Sequence, residues 1–538
     1  MKILIVNSYD IYGGAARAAY RLHKGLQQFG IDSTLVVQKK FSKDESVFVC
    51  ENDWSQKAVF YEKLLLQNYP NKSKTLFSTA VISNEVLIEF INNSDADIVH
   101  LHWITNGFLS SEDIRKIRKP LVWSLHDMWA FTGGCHYDEE CNRYENECGQ
   151  CKVLGSSLQD DLSHKIWKIK KESFSECSNL TIVGLSNWLT NAAQQSSLLK
   201  NNHVVQLPNP INCDFFTVQK KRDCRKYFNL PQTKKLILFG AMGATSDLRK
   251  GYKELISALE NLNTQEIELV VFGNTQQESQ YLKYTTHFLG KIEDDLELKK
   301  LYSAVDVMVT PSLQENLSNA IMEALSCSTP VVAFNIGGNK DMIEHQENGY
   351  LANPFDINDL AYGIQWVIFN KQYVQLCENA KRKVMETFSY DIVLPKYINL
   401  YRNIIKNNKI SRKENSFKPQ TEILLEIIKK IENNNNQKIS FSKKYNKLYE
   451  IIETLKKTKE VFVIYGYGTI GKTIHTLMPN NIVGYVDMAQ KQFHPKNLLN
   501  MKYDKIIISV LGREDEIVKY LVEELNINTD KIITLEIP

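Results

Sequence analysis

The stretch Pro311-Ser-Leu-Gln-Glu315-Asn-Leu-Ser-Asn-Ala-Ile-Met-Glu323 joins a buried strand pattern to a helical pattern, and it decides how the surrounding chain folds. Glu315 and Glu323 are eight positions apart, so on a helix their directions differ by only about 80°, at roughly 100° per residue. Both carboxylates can therefore face one pocket. The amides of Asn316 and Leu317 would be unpaired at a helix start, where a diphosphate or sugar hydroxyls can bind. The alternative is that Glu315 only complements the helix dipole and Glu323 is a solvated helix residue.

Strand and helix patterns alternate on both sides of this stretch, which indicates βαβ units and parallel sheets in an α/β protein. The apolar runs interpreted as strands are Met1–Val6, Ser33–Gln38, Ile98–Leu101, Leu121–Ser124, Leu180–Val183, Leu236–Phe239, Ile267–Phe272, Val305–Thr310 and Pro330–Phe334. The two prolines within Leu207–Ile211 interrupt the alternation and mark a boundary between two lobes. Ligands of such folds bind at the carboxyl ends of the strands, so we expect a cleft between the lobes.

A separate small domain is predicted near the C-terminus. Gly466, Gly468 and Gly471 lie between a strand pattern and a helix pattern, and Asp487 ends the next strand. This is the context of a dinucleotide-binding turn, so the module can hold a nucleotide. The alternative is a fold that keeps the glycine turn but binds nothing, or binds a partner protein. No redox reaction is assigned, because no Tyr-x-x-x-Lys set follows the turn.

At 538 residues the chain is long enough for three or four domains of about 150 residues. We predict two lobes at 1–208 and 209–390, a return helix at 391–408, a charged helical tether at 409–460 and a small Rossmann-like module at 461–538.

Charge and composition narrow the class of partner and the compartment. There are 65 Lys and Arg against 62 Asp and Glu, a net charge of +3, so no overall field attracts nucleic acid and no such partner is expected. The N-terminal apolar run Ile3–Val6 is too short for a signal peptide or a spanning helix, so the cytoplasm is the expected compartment. Peripheral contact with the inner membrane surface stays open, because local basic patches can support it.

Cysteines are concentrated in one short segment. Cys135, Cys141, Cys148 and Cys151 lie within seventeen residues, and the last two form a C-x2-C pair. Four thiols within tetrahedral reach are the ligand set of a structural zinc. Disulfides, or free thiols in a packed loop, are the alternatives.

Taken together, these motifs resemble glycosyltransferase family 4. The resemblance rests on Thr310–Leu351, which contains the E-x7-E pair, the Thr329–Val332 strand, Gly337-Gly338 and Asn348-Gly349. It extends over roughly residues 1 to 405, and Trp123–Tyr137 is similar to bacterial polysaccharide-assembly members. The resemblance implies the GT-B fold and a retaining transfer that requires no metal or other cofactor for catalysis.

The resemblance also implies roles for individual residues. Glu315 contacts hydroxyls of the donor sugar, and Glu323 binds the ribose of the nucleotide. Lys250, before a glycine at a helix start, binds phosphate. His126, at a strand end, lies beside the reacting sugar. The Gly13-Gly14 loop closes over the donor phosphate or the acceptor.

One position departs from the family pattern. The family's arginine follows a glycine after the first strand of the second lobe, and this chain has Gly240-Ala-Met-Gly243 there. Arg249 can substitute, because a guanidinium beside Lys250 can bind phosphate oxygens. The alternatives are a surface lysine at 250, a core histidine at 126 and a plain tight turn at Gly13-Gly14.

The expected activity is sugar transfer from a nucleotide-sugar donor to a glycan or lipid-linked acceptor, in the synthesis of a bacterial surface polysaccharide. His126, Lys250 and Glu315 are the predicted catalytic residues. Two other functions stay open: a GT-B-type nucleotide-sugar epimerase, and a nucleotide-responsive scaffold with an inactive transferase half.

Overall fold

The computed structural model describes residues 1–50, 54–240, 247–273, 283–292 and 294–407, followed by 448, 451–452, 454–466, 470–471, 474–475, 478, 480–488, 493–510 and 513–535. The chain divides into two compact units, Met1–Lys413 and Glu414–Pro538. Most of the predicted tether, as well as Gly468 of the predicted nucleotide turn, lies outside the described residues.

A parallel sheet with the strand order β3-β2-β1-β4-β5-β6-β7 forms the first lobe. Its strands are β1 Lys2–Tyr9, β2 Asp32–Lys39, β3 Val47–Val49, β4 Ile98–Leu101, β5 Leu121–Leu125, β6 Leu180–Gly184 and β7 His203–Gln206. The helices are α1 Gly14–Gln28, α2 Trp54–Leu66, α3 Glu85–Asn93, α4 Asp113–Lys116, α5 Leu162–Ser175 and α6 Asn187–Gln195, with 3₁₀ turns at Trp129–Phe131 and Arg143–Glu145. Ile3 and Ile5 join one core, and Leu4 and Val6 join another, so β1 is buried on both faces. Such burial explains its continuous apolar run.

A second parallel sheet, ordered β10-β9-β8-β11-β12-β13, forms the second lobe of the same unit. Its strands are β8 Lys235–Gly240, β9 Ile267–Phe272, β10 Thr286–Phe288, β11 Val307–Thr310, β12 Val331–Phe334 and β13 Gly349–Ala352. The helices are α7 Lys221–Tyr227, α8 Tyr252–Glu260, α9 Asp295–Ala304, α10 Asn319–Ser326, α11 Asn339–Met342, α12 Ile357–Ile368, α13 Tyr373–Thr387 and α14 Tyr390–Asn407, with a 3₁₀ turn at Leu248–Lys250. The strands predicted for both lobes therefore form, and β3, β7, β10 and β13 add to them.

Helix α14 returns from the second lobe and packs on the first. Its Tyr401 hydroxyl lies 2.7 Å from Nδ1 of His100, and the Tyr390 hydroxyl donates to the carbonyl oxygen of Arg21 at 2.8 Å. A side chain at Gly25 of α1 would lie 2.8 Å from Leu394, so α1 and α14 are in direct contact. This helix therefore fixes how the two sheets face each other.

In the C-terminal unit, a smaller parallel sheet has the order β15-β14-β16-β17. Its elements are β14 Phe462–Tyr465, β15 Ile482–Val486, β16 Lys505–Ile508, β17 Ile532–Thr534 and α15 Glu514–Lys519, which continues as a π-helical turn over Tyr520–Glu524; 3₁₀ turns occupy Pro495–Asn500 and Thr529–Lys531. The first strand of this sheet lies between the second and third, as in a Rossmann-like fold.

Two glycines pack closely against the loop between β11 and α10. A Cβ at Gly337 would lie 1.9 Å from the carbonyl oxygen of Glu315, and one at Gly338 would lie 1.9 Å from that of Asn316. Gly337 also has a φ of +49°, in the left-handed region that side chains disfavour. The Gly337-Gly338 pair therefore lets the backbone approach this loop, and no larger residue fits there.

We expect Gly337→Ala to destabilise the first unit more than Gly30→Ala does. Gly30 also has positive φ, but no atom lies within 4 Å of its Cβ position, so alanine there should cost only the backbone strain, about 1–2 kcal/mol. The clash at 337 adds to a similar strain. Urea unfolding followed by tryptophan fluorescence measures both, since every tryptophan precedes residue 367. Equal losses in the two variants would contradict the clash.

Candidate active site

Residues at the strand ends of the two lobes meet across the cleft. Gly13 precedes α1 with a φ of 100°, and His126 directly follows β5. The side-chain amide of Asn316 donates to the carbonyl oxygens of Leu125 and His126, each at 3.2 Å. That of Asn319 donates to the carbonyl oxygen of Gly14 at 2.8 Å. The loop after β11 therefore lies directly against the loops after β1 and β5.

Glu315 lies in the loop before α10, so the helical spacing assumed for Glu315 and Glu323 does not apply. Helix α10 begins at Asn319. The amides of Asn316 and Leu317 thus precede the helix. The prediction that both carboxylates project from one helix is wrong, because only Glu323 belongs to α10.

Lys250 and Glu315 form an ion pair in the cleft. Nζ of Lys250 donates to Oε2 of Glu315 at 3.1 Å, and both side chains keep partial exposure, 27% and 12%. Gly251 follows with a φ of +75°, and a Cβ there would lie 1.8 Å from the carbonyl oxygen of Pro311. This close approach places Lys250 beside the loop that carries Glu315.

Arg249 forms a bidentate ion pair with Asp247. Its Nε donates to Oδ1 at 3.1 Å and its Nη2 to Oδ2 at 2.7 Å. Burial raises the pKa of Asp247, but the hydrogen bonds and charge of Arg249 outweigh it, and the net shift is downward. The guanidinium also lies 5.6 Å from the ring centroid of Tyr137, within cation–π range. Both basic residues of the predicted phosphate site are therefore present and are paired with carboxylates.

His126 is partly exposed and lies next to two buried histidines, His100 and His102, that sequence reasoning did not find. His102 Nδ1 lies 2.9 Å from His126 Nε2. The rings of His100 and His102 lie 4.4 Å apart, and those of His102 and His126 lie 5.2 Å apart. Burial lowers the pKa of His126 to about 4 and that of His100 to about 3. His126 is therefore neutral at pH 7 and acts there through hydrogen bonds. The His-x-His pattern of His100 and His102 at the end of β4 is the sequence signal that could have indicated these histidines.

Asp127, which sequence reasoning also missed, anchors the chain next to His126. Its Oδ2 accepts from Trp103 Nε1 at 3.1 Å and lies 2.6 Å from His136 Nδ1, while Oδ1 accepts from the backbone amide of Trp129 at 2.9 Å. Burial raises the pKa of Asp127, but His136 and these hydrogen bonds outweigh it, so the net shift is downward. The ionised carboxylate thus fixes the turn that carries His126.

Glu323 is enclosed by protein groups. Its Oε1 lies 2.7 Å from Nη2 of Arg21 on α1, and its Oε2 accepts from the Tyr302 hydroxyl at 2.7 Å. Only 4% of the Glu323 side chain is exposed. The structure therefore brings Lys250, Arg249 and Glu315 together, but it places the second glutamate of the pair in a separate ion pair.

The predicted zinc cysteines are free, and all four lie in a described stretch. A hydrogen bond between Cys135 and Cys151 raises the pKa of Cys135 and lowers that of Cys151. The Cys148 sulfur accepts from the backbone amide of Gly133 at 3.2 Å. Across the described residues, no group of three or more His, Cys, Asp or Glu side chains is arranged to hold a metal ion. Structural zinc stays a prediction to which this geometry adds no support.

In the C-terminal unit, Gly466 follows β14 with a φ of +87°, and a Cβ at Gly471 would lie 2.2 Å from its carbonyl oxygen. Asp487 directly follows β15. The glycines are thus required by close packing of the turn, and nucleotide binding there stays a prediction.

No helix in the described ranges is long and apolar enough to cross a membrane.

Two family models match the first unit. Glycosyltransferase Family 4 covers residues 12–215, and Glycosyl transferases group 1 covers residues 220–384. The chain is 26% identical to an uncharacterized glycosyltransferase of Methanocaldococcus jannaschii, over 57% of this chain and 82% of that protein. It is 23% identical to the putative colanic acid biosynthesis glycosyl transferase WcaC of Escherichia coli K12, over 75% of this chain and 100% of that protein.

Solved structures share the fold. Sucrose-phosphate synthase from Thermosynechococcus elongatus superimposes with a TM-score of 0.57 and 17% identity, over 76% of this chain and 100% of that chain. Anabaena HepE, solved with UDP and glucose, superimposes with a TM-score of 0.52 and 16% identity, over 75% of this chain and 100% of that chain. The predicted GT-B architecture, with two lobes and a small additional C-terminal domain, is confirmed.

The buried histidines predict loss of stability in acid. Their pKa is lower in the folded state than the ordinary value of about 6.5, so the unfolded chain binds more protons between pH 6.5 and pH 4, and the free energy of unfolding falls as pH drops through that window. For His100, whose folded pKa is about 3, the loss between pH 7 and pH 5 is about 2 kcal/mol.

His100→Gln should reduce the difference in unfolding free energy between pH 7 and pH 5 by that amount. The matched control is His203→Gln, because His203 is exposed on β7, and it should keep the wild-type pH dependence. Urea titrations at both pH values measure the effect. An unchanged difference in His100→Gln would show that His100 is protonated alike in both states.

Proposed function

Since this chain is a glycosyltransferase of family 4, we propose that it transfers a sugar, with retention, from a nucleotide-sugar donor to a glycan or lipid-linked acceptor. We place the reaction in the synthesis of a bacterial surface polysaccharide, which the similarity to the putative colanic acid glycosyl transferase of E. coli supports. The observation that carries the proposal is the ion pair between Lys250 and Glu315. Glu315 belongs to the loop that Asn316 holds against the backbone of His126.

When the donor binds, its diphosphate replaces the carboxylates as the partner of Lys250 and Arg249. Lys250 and Arg249 are held by Glu315 and Asp247 within the chain. A diphosphate carries more negative charge than a carboxylate, so it can take both cations and leave Glu315 free to accept hydrogen bonds from sugar hydroxyls. The two cations then stabilise the negative charge that develops on the leaving nucleoside diphosphate. Because they are positioned before reaction, the transition state requires little reorganisation.

His126 serves the sugar as a neutral hydrogen-bonding group. Its pKa of about 4 leaves it uncharged at pH 7, so it does not repel the positive charge that develops at the anomeric carbon. No carboxylate is assigned as a nucleophile. We therefore propose front-face attack, in which the acceptor hydroxyl bonds to the anomeric carbon, the bond to the diphosphate breaks, and a donor phosphate oxygen takes the proton. Neither a metal nor another cofactor is required in this scheme.

The acceptor and the compartment are parts of the same proposal. The acceptor binds in the first lobe, which contributes His126 and the Gly13-Gly14 loop to the cleft. Reaction takes place in the cytoplasm. If the acceptor is linked to a lipid, the protein contacts the inner membrane surface at its periphery, through basic side chains attracted to anionic lipids.

Turnover with a panel of UDP-, GDP- and ADP-sugars tests the activity, with released nucleoside diphosphate as the readout. UDP-glucose is the first probe, because Anabaena HepE was solved with UDP-glucose. Lys250→Ala should reduce turnover about a hundredfold, the loss typical of one positioned donor in a transition state. Lys253→Ala is the matched control, since Lys253 is an exposed residue of α8, and it should keep wild-type turnover.

Two results would contradict the proposal. Near-normal turnover in Lys250→Ala would remove this residue from the phosphate site. Epimerised donor in place of glycoside or free sugar would indicate an epimerase. Analysis of the products by NMR separates these outcomes and reports the anomeric configuration of any glycoside.

A further inference from the structure

Four aromatic side chains meet at the carboxyl edge of the first sheet. Tyr9 ends β1 and Tyr12 follows it, while Phe41 follows β2 and Trp103 follows β4. The rings of Trp103 and Tyr9 are stacked with centroids 6.3 Å apart. Tyr9 lies 5.7 Å from Tyr12 and 6.1 Å from Phe41, and the rings of Tyr12 and Phe41 are stacked at 5.2 Å. Together these four residues form an aromatic row.

The row connects the cleft with the surface of the first lobe. At its inner end, Trp103 Nε1 donates to Oδ2 of Asp127, the residue after His126, at 3.1 Å. Trp103, His126 and Asp127 also line one cavity. At its outer end, Tyr12 is 43% exposed and Phe41 is 46% exposed. A ligand that covers the exposed rings can therefore extend along the row to His126.

A buried carboxylate fixes the outer end of the row. Asp10 is fully buried, and its Oδ1 accepts from the backbone amides of Ile11 at 2.9 Å and Phe41 at 2.8 Å. Its Oδ2 accepts from the amide of Ser42 at 2.8 Å. The loop after β1 is thereby tied to the loop after β2, so the backbone sets the positions of Tyr12 and Phe41. Rings held in this way lose little conformational entropy when a ligand covers them.

Exposed aromatic faces of this kind suit carbohydrate. A contiguous apolar patch at the surface marks a binding site more often than isolated apolar residues do. The faces of a pyranose ring carry C–H bonds, and their weakly positive hydrogens are attracted to the negative face of an aromatic ring. The sugar hydroxyls lie around the edge of the pyranose, so they keep their contact with water. Stacking therefore covers the rings and leaves the polar groups of the sugar solvated.

Two exposed lysines place positive charge over the outer rings. Nζ of Lys39 lies 5.2 Å from the ring centroid of Phe41, and Nζ of Lys291, from the second lobe, lies 5.6 Å from that of Tyr12. Cation–π contacts are weak at exposed sites, so a sugar ring can replace an ammonium group there. The ammonium groups stay nearby on their flexible side chains, where they attract an anionic group of the sugar.

From this geometry we propose that the aromatic row is an acceptor subsite for a glycan that carries an acidic sugar. Its pyranose rings stack on Tyr12 and Phe41, and its reacting end extends along Tyr9 and Trp103 to His126. This assignment rests on the proposed function, and it makes sugar rings the recognised part of the acceptor, whether or not a lipid is attached. A membrane surface fits the row less well, because Trp103 lies inside the cleft, where a bilayer does not reach.

Saturation-transfer NMR on the full-length protein tests this subsite. Cellobiose and cellobiouronic acid are the probes, because they differ only in one carboxylate. Saturation should be strongest at the axial C–H protons of one sugar face, and the acid should have the lower dissociation constant. Tyr12→Ala and Phe41→Ala should raise both dissociation constants at least fivefold. Phe90→Ala is the matched control, since it removes a 44% exposed ring on α3, and it should leave both unchanged.

The double variant Lys39→Gln/Lys291→Gln tests the role of charge. It should remove the preference for cellobiouronic acid and keep the affinity for cellobiose, because the rings are intact. An undiminished preference for the acid in this variant would overturn the assignment of an acidic sugar.

Absence of saturation transfer to both disaccharides in wild type would overturn the subsite, and so would equal affinities in Phe41→Ala and Phe90→Ala. Should Tyr12→Ala fail to fold, Phe41→Ala gives the same comparison from a different loop. Sedimentation with phosphatidylglycerol vesicles separates a membrane contact from a sugar site. If Phe41→Ala weakened vesicle binding and left disaccharide binding unchanged, the row would be a membrane contact and the proposal would be wrong.

Turnover of nucleotide sugars distinguishes failure of the subsite from failure of the proposed function. Disaccharide binding that depends on Phe41, in a protein that turns over no nucleotide sugar, would support a carbohydrate site and reject the transferase. Turnover by a wild type that binds neither disaccharide would reject the subsite and keep the transferase.

Discussion

The geometry of parallel strands constrains everything else in the first unit. Each functional loop leaves the carboxyl end of a strand, so the two sheets form one site only if these ends face each other. Helix α14 provides this arrangement, because it starts in the second lobe and places Tyr401 against His100 inside the first. The contacts of Asn316 and Asn319 with the opposite lobe depend on the same placement.

Within the cleft, carboxylates of the chain itself balance the charges of Lys250 and Arg249. Lys250 is paired with Glu315, and Arg249 with Asp247. Two neighbouring cations would repel each other if they were unpaired, and the two carboxylates offset that repulsion. Partial exposure of the Lys250–Glu315 pair keeps the cost of separating it low. The pair of Arg21 and Glu323 is buried instead, so loss of one partner would leave an uncompensated charge away from water.

Desolvation determines the chemistry of the first lobe. His100, His102 and His126 have their pKa lowered by burial, so these histidines offer hydrogen bonds and no positive charge. Next to it, Asp127 stays ionised because His136, Trp103 and the amide of Trp129 bind its carboxylate. The surroundings therefore lower the pKa of both neighbouring residues, which keeps His126 neutral and Asp127 ionised.

The sequence by itself determined the α/β alternation, the strands that carry the site, and the position of His126 after β5 and of Glu315 after β11. Apolar runs of this kind form buried parallel strands wherever helices cover both faces, so local pattern is sufficient for them. Lys250 was indicated only by the family resemblance, which implies a phosphate-binding lysine before a glycine at a helix start. In contrast, the eight-residue spacing of the two glutamates wrongly predicted that both lie on one helix, because the helix begins only at Asn319.

Only the tertiary structure decided what Glu323 contacts. Its partner Arg21 lies far earlier in the chain, on a helix of the other lobe, and no periodicity in either segment encodes their meeting. The close approach of His100, His102 and His126 at the ends of β4 and β5 arises in the same way. Burial and long-range contact set the charge and the partners of a side chain, and both exist only once the lobes have packed together.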